Sequence, residues 1–73
     1  MIKVGQIYKR NSCIYAVCFV GLGYKNSEQV QLINPNGFTY GYSLTKFERY
    51  GGDLIAEYPT WQEAVNSKEF NNG

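Results

Sequence analysis

The chain has no histidine, only two cysteines, two prolines and one tryptophan, and no long apolar run. Each shortage closes off a class of function. Without histidine, no Ser–His or Cys–His pair can be assembled, and the carboxylates and lysines that remain show no recognisable catalytic spacing. Structural zinc normally takes four converging nitrogen or sulfur ligands, and Cys13 and Cys18 supply two thiols at most. No metal or cofactor is expected. The two cysteines are five apart in a strand-like segment, where odd spacing sends side chains to opposite faces, so no bond between them is expected. They read as buried, unreactive free thiols of a reducing compartment. The longest stretch without a charge, Asn11 to Tyr24, is interrupted by Asn11, Ser12, Gly21 and Gly23 and is too short and mixed for a membrane helix. The opening Met1-Ile2-Lys3-Val4-Gly5 carries no secretory signal. The expected location is therefore the cytoplasm.

Acidic residues are also missing from the first part of the chain. Lys3, Lys9, Arg10 and Lys25 precede Glu28, and all six acids follow, against Lys46, Arg49 and Lys68. The net charge of +1 hides this polarity, which can create a basic face or be cancelled by folding.

What is present is aromatic: seven tyrosines, four phenylalanines and one tryptophan in 73 residues. A chain this short holds a single core, burying about 60% of its unfolded surface, and large rings bury much area from few positions.

Gly5 to Arg10 reads as a first short strand, reversed at Asn11-Ser12. Cys13 to Val20 is apolar on both faces and should be the central strand. After a loop at Gly21–Ser27, Val30 and Leu32 alternate with Gln29 and Gln31, the mark of a half-buried strand. Asn34-Pro35-Asn36-Gly37 predicts a hairpin, because Asn-Gly tolerates the positive φ of a tight turn. Its second arm sets Phe38, Tyr40 and Tyr42 on one side. Leu44 to Tyr50 predicts a helical turn or irregular crossover, ended by Gly51-Gly52-Asp53. Leu54 to Tyr58 reads as a last, edge strand, since Pro59 cannot extend the ladder.

Thr60-Trp61-Gln62-Glu63 matches a capping box, with the Thr60 hydroxyl on the Glu63 amide and the Glu63 carboxylate returning to the Thr60 amide. The helix should run to about Lys68, with Trp61, Ala64 and Val65 inward and Trp61 as anchor. These elements predict a mainly β domain over residues 1–70 with a frayed end at 71–73. The architecture is a five-stranded, strongly bent antiparallel sheet or a small closed barrel, with one short C-terminal helix.

Gly21-Leu22-Gly23 and Gly51-Gly52 precede no helix start that would hold an anion and read as turns. Glu48, Asp53 and Glu57 fall on different elements and read as solvated charges. Phe38, Tyr40 and Tyr42, with Tyr8, Tyr15 and Tyr24 as possible neighbours and Lys9, Arg10 and Lys25 in the adjoining loops, combine aromatics with basic residues as single-strand nucleic-acid binders do. The competing reading, which is favoured, packs this aromatic face into the core.

Lys3-Val4-Gly5-Gln6-Ile7-Tyr8, the Asn34–Gly37 turn and Thr60-Trp61-Gln62-Glu63-Ala64-Val65 resemble short uncharacterised proteins of phages and prophages of Gram-positive bacteria, many of which look like SH3-like small barrels. The resemblance implies a fold, an origin in a bacterial host and an accessory protein that binds a host or phage macromolecule. Together with the absence of catalytic groups, it makes a noncatalytic protein-interaction module the leading expectation, with Tyr40, Tyr42, Lys9, Arg10 and Lys25 as binding residues. Weak single-stranded nucleic-acid binding is the alternative. A monomer or weak homodimer is expected, with any self-association running through the Leu54–Tyr58 edge.

Overall fold

Turn chemistry sets the sheet. In the computed structural model, which describes residues 2–72 (the backbone alone for Tyr24 and Asn72), Asn11 takes φ 56° between β1 (Gln6–Arg10) and β2 (Cys13–Leu22). At the second hairpin, between β3 (Glu28–Ile33) and β4 (Thr39–Ser43), the Gly37 amide donates to the Asn34 carbonyl at 3.0 Å and Gly37 sits at φ 89°. Asn36 does not share the positive φ. The loop is thus a turn followed by a left-handed glycine, rather than an Asn-Gly pair with both residues left-handed. The Asn34 Oδ1 accepts from the Asn36 and Phe38 amides, both at 3.0 Å, and stiffens it.

With β5 (Asp53–Glu57) the strands form one open antiparallel sheet in the order β4-β3-β2-β1-β5. β2 is the centre, as its two apolar faces predict. Of the two architectures expected, the sheet takes the open one: β4 and β5 are free edges that do not meet. The register shifts between Val17 and Phe19 opposite β3, leaving Cys18 as an extra residue. Such a bulge bends a strand and re-aims its side chains.

Alternation along β2 sends Ile14 and Ala16 to one face and Tyr15 and Val17 to the other, and each face has its own cover. On the first, Ile7, Ile14 and Ala16 pack under Ala64 and Phe70. On the second, Val17, Val30 and Leu32 pack under Phe47, whose ring meets Tyr8 edge-on at 5.0 Å. The expected single core is therefore two small clusters sharing one sheet. The cause is α1 (Leu44–Tyr50), which carries the chain from β4 across the second face toward β5.

The expected C-terminal helix is two short helices, α2 (Trp61–Val65) and α3 (Lys68–Asn72), so the described residues hold three α-helices where one is expected. Ser67 makes the break. Its hydroxyl donates to the Ala64 carbonyl at 2.6 Å and accepts from the Phe70 amide at 3.3 Å, ending one helix and starting the next. The Asn71 side chain donates to the carbonyls of Val65 (3.0 Å) and Ser67 (2.8 Å), so Asn71 is tied down rather than frayed. Gly73 lies outside the described residues. At the other end, the Glu63 amide donates to the Thr60 hydroxyl at 3.2 Å as predicted, but the Glu63 carboxylate accepts from the Thr60 hydroxyl (3.1 Å) rather than from its amide. Trp61 is half-buried and belongs to neither cluster; the buried anchors are Ala64 and Phe70.

Gln6, 3% exposed, is the polar residue that the sheet must accommodate. Its Oε1 accepts from the Lys3 amide (2.9 Å) and the Tyr8 hydroxyl (2.8 Å), and its Nε2 donates to Glu57 (2.9 Å). Burial, then the charges of Glu57 and Glu48, raise the Tyr8 pKa, which keeps this hydroxyl a donor. Tyr58 donates to Glu69, tying α3 to the end of β5; that bond lowers the Glu69 pKa and raises that of Tyr58. Among the described residues every buried side-chain nitrogen and oxygen has a hydrogen-bond partner, and no helix is long and apolar enough to cross a membrane.

Candidate functional site

The site forms where β4 turns into α1. Ser43 ends the strand and caps the helix, its hydroxyl accepting from the Lys46 amide at 3.2 Å. The chain thus passes from an edge strand directly onto the sheet, with no loop between. Helical spacing then places Lys46, Phe47 and Tyr50 together, and Phe47, 6% exposed, sinks between sheet and helix. Lys46 and Tyr50 stay exposed above it.

The register of the sheet supplies the other side. Tyr8 pairs with Tyr15 and Arg10 with Cys13, so Tyr15 and Arg10 share the face that α1 covers. Leu32 pairs with Tyr40 and Val30 with Tyr42, which puts both β4 tyrosines on that face too. The outcome is a cleft floored by buried Leu32 and Phe47, walled by Tyr15, Tyr42, Tyr50 and Gly51, and rimmed by Arg10 and Lys46. Among the described residues no carboxylate lines it. Its volume of about 50 Å³ is well below the roughly 300–1,000 Å³ of small-molecule pockets. It has room for the end of one side chain.

Two contacts set its edge. The Tyr15 and Tyr40 rings meet at 6.2 Å and 88°, an edge-to-face pair. The Asn34 Nδ2 donates to the Tyr40 hydroxyl at 3.1 Å, linking the hairpin turn to the aromatic row. Burial raises the Tyr15 pKa, with the neighbouring Cys13 adding to it, so Tyr15 is a neutral hydroxyl at physiological pH.

The five residues singled out from sequence divide three to two. Arg10 and Tyr42 line the cleft, and Tyr40 adjoins it through Tyr15. Lys9 alternates to the opposite face, in register with Ile14 and Asp53. Lys25 sits in the 3-10 turn Tyr24–Asn26 beyond the far end of β2. Nine strand steps separate Leu22 from Cys13, the partner of Arg10, or about 30 Å at ~3.3 Å per step. Tyr8 belongs to the core beneath α1, and the Tyr24 side chain lies outside the described residues. Phe38, Tyr40 and Tyr42 are 64%, 40% and 38% exposed, so the row is surface and not the packed face that was favoured.

Tyr15, a possible neighbour of the row from sequence, is a wall of the cleft; two side chains at its rim and wall have no place among the sequence candidates, Lys46 and Tyr50. The signal for the last two is present, because a helical turn is one of the two readings of Leu44 to Tyr50 and residues four apart on a helix share a face. Which face of the sheet that helix would cover had no local signal. The same face is polarised along its length. At its other end a broader hollow, lined by Ile2, Val20, Leu22 and Leu44, carries Glu28 and Glu48 and, among the described residues, no basic side chain.

The cysteines depart from expectation. Both are free, but Cys13 is exposed at the start of β2, while Cys18 is half-buried and its thiol donates to the Gln31 carbonyl at 3.4 Å. Burial raises the Cys18 pKa. A thiol reagent at neutral pH is expected to modify Cys13 about tenfold faster than Cys18, read by mass spectrometry of peptides from a time course. Equal rates would mean that the bulge opens readily. Among the described residues no group of three or more potential metal ligands converges. No family model, curated protein or solved structure matches this chain.

Proposed function

We propose that this protein is a noncatalytic protein-interaction module that docks an acidic side chain of its partner into the cleft between β4 and α1. One observation carries the reading: Arg10 and Lys46, from distant parts of the chain, rim the same small aromatic cleft with no acid among the described residues of its lining. In a chain of net charge +1 such a concentration of positive charge needs a reason. A carboxylate between the two cations would take charge-assisted hydrogen bonds, and the tyrosine hydroxyls of the wall would add neutral ones.

The origin as a phage or prophage accessory protein working in the cytoplasm of a bacterial host rests on the resemblance of its opening, hairpin and capping segments. In that setting the partner is a host or phage protein. The finer reading of the sheet as an SH3-like fold left open draws support from the strand order and from the helical link between its two edge strands.

A second reading, weak binding of single-stranded nucleic acid, is favoured by the exposed row of Phe38, Tyr40 and Tyr42. The size of the cleft favours a carboxylate over a base.

The two are separated by titrating the protein with a hexaglutamate peptide and with a short oligothymidine while following backbone amide shifts. The expected result is peptide binding that moves the amides of Arg10, Tyr42, Lys46 and Tyr50, and that weakens from about 50 mM to about 500 mM salt. The double variant Arg10→Glu/Lys46→Glu should bind at least about tenfold more weakly, a loss of ~1.4 kcal/mol or more. Oligothymidine binding without peptide binding replaces the first reading with the second. Shifts spread evenly over the molecule, or none, remove both.

A further inference from the structure

The sheet has two edges, and they are built differently. β5 carries the devices by which strands avoid pairing with other chains. The register slips between Ile7–Ala56 and Tyr8–Leu54, leaving Ile55 as a bulge; Asp53 and Glu57 stand at its ends; Pro59 follows two residues on. β4 carries none of them. Thr39-Tyr40-Gly41-Tyr42-Ser43 has no charge, no proline and an unbroken register with β3, and all five residues are exposed.

The ladder shows which backbone groups that edge offers. The Asn34 amide donates to the Phe38 carbonyl at 2.9 Å, which marks Asn34–Phe38 as a hydrogen-bonded position of the β3–β4 pair. Antiparallel pairs alternate, so Tyr40 and Tyr42 bond inward to β3 while the N–H and C=O groups of Thr39 and Gly41 and the N–H of Ser43 point out from the sheet; the Ser43 carbonyl, at the N-cap of α1, takes the first bond of that helix.

We infer that this edge pairs with the β4 edge of a second copy of the chain, antiparallel about a two-fold axis at Gly41. In that register Gly41 exchanges two bonds with Gly41 of the second copy, and each Ser43 amide donates to the Thr39 carbonyl of the other. Gly41 meets Gly41, Thr39 meets Ser43 of the second copy, and Tyr40 meets Tyr42 of the second copy. Hydroxyl pairs and aromatic pairs are both favourable cross-strand neighbours, and no like charges oppose each other. The same operation on β5, centred at Ile55, sets Asp53 against Glu57 twice, a repulsive arrangement. Self-association thus belongs to β4 rather than to the Leu54–Tyr58 segment. Gly41 itself has no steric duty within the chain, since a Cβ there would meet nothing within 4 Å. A glycine inside a strand that its own fold does not need fits a position where another backbone comes close. Pairing continues the sheet into ten strands and joins the tyrosine rows of the two copies.

Sedimentation equilibrium from about 10 µM to about 1 mM tests this. The apparent mass is expected to rise from 8.3 kDa toward twice that value. Gly41→Pro should remain at 8.3 kDa with an unchanged circular dichroism spectrum, because the N–H it removes is not bonded to β3. Should that variant fail to fold, Gly41→Cys in a Cys13→Ser background gives an independent reading. Two thiols on the axis of a hydrogen-bonded pair have Cα atoms about 5.5 Å apart, within disulfide range, so a non-reducing gel should show the dimer. Ile55→Cys in the same background should not cross-link. A mass constant with concentration, a Gly41→Pro variant that still dimerises, or cross-linking through Ile55 equal to that through Gly41 overturns the inference.

Discussion

Replacing Gly5 with alanine is expected to leave most of the chain unfolded at room temperature. Gly5 is buried at φ +95°, and a Cβ there would lie 2.1 Å from the Tyr58 carbonyl oxygen and 3.3 Å from that of Thr60. The residue joins two parts of the sheet at their closest approach. Its amide donates to the Val17 carbonyl at 2.9 Å, and its carbonyl accepts from the Tyr58 amide at 3.0 Å. A side chain costs about 1–2 kcal/mol for the left-handed backbone alone, and the clash with backbone atoms must then be relieved by moving β5 away from β1. A domain of this length holds no more than about 5–10 kcal/mol in total. Gly37→Ala is the control: φ is also positive, at +89°, but the space around it is open, so only the backbone term applies. Far-UV circular dichroism and thermal melts compare the two. A Gly5→Ala protein that melts within a few degrees of Gly37→Ala would show that the Gly5–Tyr58 junction yields easily.

Phe70→Ala is expected to destabilise the fold by about 3–5 kcal/mol, the range for removing a buried aromatic side chain, and Trp61→Ala by clearly less. Phe70 is 4% exposed and packs with Ile7, Ile14, Ala16 and Ala64, whereas Trp61 is half-buried and outside both clusters. Urea unfolding followed by circular dichroism gives both values on one scale. At about 4–8 °C per kcal/mol for a domain of this size, the Phe70 variant should also melt more than about 12 °C below the parent. If Trp61→Ala costs as much as Phe70→Ala, the first cluster is anchored at the start of the C-terminal segment and not at its end.

The reversal between these two aromatics has a local cause. A continuous helix from Trp61 to Lys68 would make Trp61 the natural anchor, being the largest apolar residue on its inner stripe. Ser67 breaks that helix by bonding to the Ala64 carbonyl and the Phe70 amide, and the chain turns so that Phe70 enters the core. Serine hydroxyls cap helices, but they also sit inside them, so the break had no unambiguous signature. The exposure of Cys13 has a similar origin. An apolar run predicts burial for each of its members, yet Cys13 stands at the mouth of a hairpin, where the neighbouring elements no longer cover it.

The candidate binding residues divide in the same way. Tyr40 and Tyr42 were legible as one face because strand alternation is local. Their exposure was not, since it depends on β4 lying at the edge and on how much of the face α1 covers. Arg10 and Lys46 are far apart in sequence and meet through the β1–β2–β3 register and the crossing of α1, while Lys9, next to Arg10, is carried to the other face. Proximity in sequence therefore grouped Lys9, Arg10 and Lys25, and pairing across the sheet separated them.

What the sequence by itself determined is local: the strand positions, the Asn34–Gly37 hairpin, the Thr60 cap, the central place of β2 and the edge place of β5. These follow from alternation, turn preferences and capping, which act over a few residues. Only the tertiary structure decided that the sheet stays open, that it has a core on each face, and that a basic aromatic cleft forms beside an unprotected β4 edge. Each of these is set by long-range register and by the path of α1, whose energies come from residues that are neighbours only after folding.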